Sequence, residues 1–289
     1  MSLEEINKIV VFIFTVTNLA ALGLELKPRE TVKALKNPVF VILILFWGWV
    51  VGPGLALLIT NIIPLSISHS AGLVLISLAP MTPAYPIMVS KARGDMSAAG
   101  AFTLVAAVAT VMLLPLMVPW LVEGLEVSIW ALAKPLLTLV LMPLAFGVII
   151  RLGAAKFADQ ILPAVKKAGG LFMILCAVLT TWIYWKEMVA TIGSFAIGAI
   201  VLFLVVLTAI SYLVGLGLSQ KQRSAMSLGM CTRNISAVFV AYFAITNPDP
   251  GILVMIVLLI PLTIIVGFLA ARVFASQAGK FEEEAGVTL

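Results

Sequence analysis

The chain is a succession of long apolar runs, each near the length needed to cross a membrane, separated by short clusters of charged and turn residues. A spanning helix needs about 20 apolar residues, and the clusters divide the sequence into nine segments, roughly 3–24, 38–60, 68–92, 95–121, 128–150, 165–185, 190–218, 222–246 and 249–274. Two segments are interrupted: Pro80, Pro83 and Pro86 break the third, and the run from Gly229 to Asn234 breaks the eighth. In lipid an unpaired backbone N–H or C=O costs several kcal/mol, so such a break persists only inside protein or beside a water-filled cavity. Two breaks in corresponding places of two halves are the pattern of a secondary transporter's binding site.

Composition agrees with an all-α polytopic membrane protein. Of the 289 residues only 11% are charged, against roughly 25% in soluble domains, and the mean hydropathy is +1.18. The net charge of +5 points to membrane orientation, not to nucleic acid. With the N-terminus outside, 14 of the 18 basic residues fall on the inner side, Lys27, Lys91, Arg151, Lys166 and Lys221 among them. Lys8 and Lys186 are outside, and Lys134 and Arg233 lie within spans. This positive-inside asymmetry places the C-terminus in the cytoplasm. With no cleavable leader apparent, the integral protein is expected in a prokaryotic inner membrane. The polar stretch 275–289 reads as a cytoplasmic tail, irregular from Lys280 onward. Cys176 and Cys231 lie in spans and suggest no disulfide framework.

The second half repeats the first in inverted form: spans 2, 3 and 4 correspond to 7, 8 and 9, and span 1 to span 6. Five spans per ancestral unit force successive units into opposite orientations, with the first unit's opening helix missing.

At several landmarks the chain resembles the bile acid:sodium symporter family. They are Gly23-Leu24-Glu25-Leu26-Lys27-Pro28, the run from Gly72 to Pro80, Lys91-Ala92-Arg93-Gly94-Asp95, and Arg233-Asn234. The resemblance implies one transporter domain over 1–289, divided between a core (about 68–121 and 190–274) where the interrupted helices cross, and a panel (about 3–60 and 128–185). It also implies where sodium ligands should stand, and most of them are missing. The family's Ser-Asn pair falls on Tyr85 and Pro86, a third ligand on Ala99, the acid on Gly229 and a Gln on Arg233; only Thr103 is kept.

Residue chemistry alone leads the same way. No Asp or Glu lies well inside a span, since Glu25, Glu123, Glu126 and Glu187 are at ends and Asp95 starts span 4. Cation-coupled carriers usually keep an intramembrane carboxylate. Arg233 stands there instead, either pairing with an anionic substrate through its planar fork or serving a structural, sodium-mimicking role beside freed carbonyls. The three prolines leave carbonyls around Ala79 to Thr82 without helical donors, and Gly229 opens the second break. Thr82, Tyr85, Thr103, Thr232, Asn234 and Ser236 are the polar candidates around the crossing, with Asn18 on span 1 facing the cleft. Lys134 is expected to snorkel, His69 to cap the first interrupted segment, and most of the tryptophans to form interfacial belts.

The expected function is alternating-access transport of a small organic anion, carboxylate or bile-acid-like, without sodium. No metal or other cofactor is expected. Sodium symport through carbonyls and Thr103, or a passive channel, are the alternatives. His-Glu-x-x-His, Gly-x-Ser-x-Gly with a partner base and a paired-Asp motif are absent, so an enzyme is not expected.

Overall fold

The protein is described by a computed structural model covering residues 2–26, 28–82, 84–122 and 127–284; for residues 28–30 and 279–284 this means the backbone alone. Pro83, Lys27, Glu123, Glu126 and residues 285–289 lie outside the described residues.

The architecture is all-helical. In order come α1 (Leu3–Glu25), α2 (Pro28–Leu35), α3 (Pro38–Ile62), α4 (Ile67–Ser77), α5 (Tyr85–Lys91), α6 (Met96–Leu121) and α7 (Ile129–Gly153). Then follow α8 (Ala155–Ile183), α9 (Trp185–Ala190), α10 (Ala196–Leu213), α11 (Gln220–Cys231), α12 (Ile235–Ala244) and α13 (Pro250–Glu284). Among the described residues seven helices are long and apolar enough to cross a membrane, namely α1, α3, α6, α7, α8, α10 and α13. The two segments expected to be interrupted hold pairs of shorter helices, α4 with α5 and α11 with α12. The tail expected to be irregular from Lys280 instead continues α13 to Glu284, because residues 275–284 contain neither proline nor a β-branched run to stop it.

Local chemistry sets the ends. Ser2 and Ser219 close capping boxes with Glu5 and Gln222, while Asn37, Ser66, Asp95 and Ser128 each accept a backbone N–H with their side chains. Ser66, not His69, therefore caps α4; His69 supplies the backbone donor at 3.2 Å. Helices α3 and α7 each contain a π-turn, Trp47–Val51 and Leu137–Leu141. Each lies just before a proline, Pro53 or Pro143. A proline has no N–H to give the carbonyl four residues back, and the wider turn lets the preceding Gly52 and Met142 donate five residues back, to Trp47 and Leu137.

Helix α1 packs along α7 and α8. Gly23 and Gly147 meet where α1 and α7 cross: a Cβ on Gly147 would lie 2.9 Å from the Cα of Gly23. The remaining long helices assemble around α11 and α13, which touch each other and α10, while α4 lies against α13. Helix α3 packs on α4, α6 and α10. Its buried face carries Phe40, Leu43, Ile44, Trp47 and Trp49, and this apolar stripe requires a partner on the α10 side. Trp47 and Trp49 thus leave the interfacial belt expected of them, whereas Trp120, Trp130, Trp182 and Trp185 are exposed and fit it. Lys134 is exposed, as a snorkelling residue needs to be.

Candidate functional site

The chain passes from α4 to α5 and from α11 to α12 through short extended stretches, and these two stretches touch. Pro80 and Arg233 form an antiparallel bridge. The Asn234 N–H donates to the Ala79 carbonyl at 2.7 Å, and the Met81 N–H donates to the Thr232 carbonyl at 2.8 Å. Each stretch thus satisfies backbone groups of the other, as a low-dielectric setting requires. Two carbonyls expected to lack donors have them, that of Ala79 from Asn234 and that of Thr82 from the Tyr85 N–H at 3.0 Å. Met81 meets this geometry with φ of 79°, an uncommon conformation for a residue with a side chain.

The side chains around the bridge divide into two sets. On one side, α1, α8, α12, α13 and the residues Thr82, Ala84 and Ile87 enclose a cavity of about 230 Å³. Asn18, Thr82 and Ser236, three of the expected site residues, line it. Asn18 donates to the Phe14 carbonyl at 3.1 Å and reaches the Gly169 carbonyl at 3.5 Å; a Cβ on Gly169 would crowd it. Ser236 is buried, and its hydroxyl has no hydrogen-bond partner among the described residues.

Arg233, Asn234, Thr232 and Tyr85 do not line this cavity. Arg233 is fully buried with its guanidinium 4.8 Å from the centre of the Phe203 ring on α10, and none of its three side-chain nitrogens has a hydrogen-bond partner among the described residues. Asn234 accepts the Ala237 N–H at 3.1 Å and so caps α12, while the Thr232 hydroxyl bonds back to Leu228 at 3.0 Å. Asn234→Ala, which keeps the backbone donor to Ala79, is expected to lower stability by about 1 kcal/mol, the usual cost of a lost cap, as thermal unfolding in detergent will show.

Tyr85 is buried, donates to the Ala225 carbonyl at 2.8 Å, and packs against Phe102 with ring centres 5.3 Å apart and planes inclined at 47°. The same Phe102 ring presses on Gly229, leaving no room there for a Cβ. Thr103 and Pro86 line a second hollow of about 170 Å³ beside Ala99 and Thr31, which shares Leu22 and Glu25 with the cavity. A larger, apolar hollow of about 700 Å³ lies on α8 against Trp182 and Trp185, on a face exposed to the surroundings.

The sequence matches the sodium bile acid symporter family over residues 12–191, more than half of the chain. The protein belongs to that family. It is accordingly an integral membrane protein of a transporter family, with no catalytic role implied, and a small molecule is its cargo. Comparison with curated proteins yields no match. In this protein the cavity also draws on residues that the sequence pattern alone did not single out: Phe14 and Glu25 on α1, Lys166 and Met173 on α8, and Thr263 on α13. A signal was present. Phe14, Asn18, Ala21, Leu22 and Glu25 recur at one-turn spacing and share a face, as do Lys166, Gly170 and Met173. The charge pattern places Lys166 with the inner loops, whereas the helix begins at Ala155 and carries it inside α8.

Proposed function

We propose that the protein carries small organic anions by alternating access without sodium, the Arg233 guanidinium taking the place of the coupling cation. The observation that carries this reading is a full positive charge buried at the crossing with no anionic partner among the described residues. A buried charge without a partner is costly, and its retention in an apolar protein argues for use. The positions that resemblance assigns to sodium ligands are filled by other groups: Tyr85 and Phe102 pack into one place, and Phe102 excludes a side chain at Gly229. Arg233 replaces the ligand at the other. Thr103, the one ligand type retained, faces a different hollow, which weighs against sodium symport. No cofactor enters this reading.

In the same reading each pair of short helices acts as one interrupted span, giving nine spans with inverted repeats, the N-terminus outside and the C-terminus in the cytoplasm of a prokaryotic inner membrane. Helix α3 joins the core on its packing, and α1, α7 and α8 form the panel. Two hollows on the panel–core seam support rocking. The cavity beside Asn18 is at the Glu25 end of α1, and a second of about 380 Å³ beside Asn7, Lys8 and Tyr242 is at the other. Phe14 and Phe239, edge to face at 6.5 Å, lie between them. Counterflow exchange of radiolabelled short carboxylates in proteoliposomes tests the reading. Equal rates in sodium and choline are expected, and a steep requirement for a sodium gradient would overturn sodium independence.

A further inference from the structure

Among the described residues lining the cavity beside Asn18 there is one cation, Lys166, and one anion, Glu25, and the two are paired at 2.6 Å. They come from different helices, α8 and α1, at one end of the cavity. Their side chains remain 40% and 32% exposed. A half-exposed ion pair gains little over its hydrated partners, so Glu25 is exchangeable for another carboxylate. Lysine suits such an exchange, because its ammonium is a compact point charge on a flexible stem with three rotatable donors. The Ser236 hydroxyl, buried and without a partner, lines the same cavity. The rest of the wall is mostly apolar, with Phe14, Met173, Ile260 and Ile264 beside the neutral polar groups of Asn18, Thr82 and Thr263.

We propose that Lys166 receives the carboxylate of the transported anion in exchange for Glu25, so that their ion pair is a latch which the cargo itself opens. This rests on the anion-carrier reading above. Size narrows the cargo further. The cavity of about 230 Å³ lies below the roughly 300–1,000 Å³ of pockets for drug-sized ligands. It suits a short carboxylate with a second polar group for Ser236, and is too small for a steroid conjugate.

The test is calorimetric binding to the purified full-length protein in sodium-free detergent, with 3-hydroxybutyrate, butyrate and taurocholate as probes. Lys166→Met is expected to weaken 3-hydroxybutyrate about ten-fold or more, the scale of a lost hydrogen bond to a charged group. Glu25→Gln is expected to tighten it up to about five-fold by freeing the lysine, and the double variant to match Lys166→Met. Ser236→Ala should weaken 3-hydroxybutyrate and leave butyrate unchanged. If the ion pair only tethered α1 to α8, both single variants would shift affinity in the same direction, and that result overturns the latch. So does unchanged affinity in Lys166→Met. Taurocholate binding as tightly as the short acids would overturn the size limit. A folded wild-type protein that binds none of the three would bring down the carrier reading, and the latch with it.

Discussion

Replacing Arg233 with methionine is expected to abolish transport while making the protein more stable. The two effects have one origin. The guanidinium is fully buried, its nitrogens have no partner among the described residues, and its clearest contact is the Phe203 ring at 4.8 Å. A cation over an aromatic face recovers about 2 kcal/mol when desolvated, less than the several kcal/mol that stripping an ion of water costs. Methionine is flexible enough to fill the same space, and exchanging buried ions for apolar groups of similar volume is often stabilising by about 1–4 kcal/mol. Unfolding in detergent should therefore shift upward by several degrees.

Transport should move the other way, because the charge is then gone from the crossing. Two unit charges roughly 8 Å apart interact by about 2 kcal/mol at an effective dielectric near 20, close to thirty-fold in affinity for an anion in the neighbouring cavity, and counterflow should fall at least that far. Arg233→Lys keeps the charge and should keep measurable exchange. Counterflow by Arg233→Met at the wild-type rate would show that the charge has no part in transport. A lower melting point would show that the guanidinium holds the crossing together through its surroundings.

Much of the fold was legible because membrane helices are written in long runs. The apolar segments, the capping serines and the two interruptions all lie in local sequence, and the helices follow them closely. What the sequence did not carry was direction. Arg233 and Ser236 are three residues apart on either side of a helix start, yet one side chain lies over Phe203 and the other lines the cavity. The bridge between Pro80 and Arg233 sets that divergence, and a pairing between residues so distant along the chain has no local signature. Tyr85 shows the same limit: its polarity beside a break points toward a cavity, whereas the structure packs its ring against Phe102 and gives its hydroxyl the Ala225 carbonyl as partner. The partner of the α3 stripe has no local signature either; the structure packs α3 on α10.

The largest loss of stability is expected at Gly147. A Cβ there would collide with the Ala20 carbonyl and lie 2.8 Å from the Leu24 nitrogen, and the reciprocal Cβ on Gly23 would collide with the Leu144 carbonyl. These neighbours are backbone atoms held within continuous helices, so no side chain can turn away to relieve the overlap. Helices α1 and α7 must separate instead. That separation would disturb the adjoining contacts at the end of α1, where Arg151 donates to the Leu24 carbonyl and Lys166 meets Glu25. Small residues are what permit close helix approach where no hydrophobic drive separates protein from lipid, and overpacking such a seam costs about 3 kcal/mol or more. Gly147→Leu should accordingly lose several degrees of thermal stability in detergent, and carboxylate binding should weaken as α1 carries Asn18 and Glu25 away from the cavity. Gly198→Ala is the control, since nothing lies within 4 Å of a Cβ at that helical position; it should gain about 0.5–1 kcal/mol from helix propensity. A Gly147→Leu protein that melts with the wild type would mean that the α1–α7 contact is looser than its backbone distances indicate, and the panel would then have to be divided along a different seam.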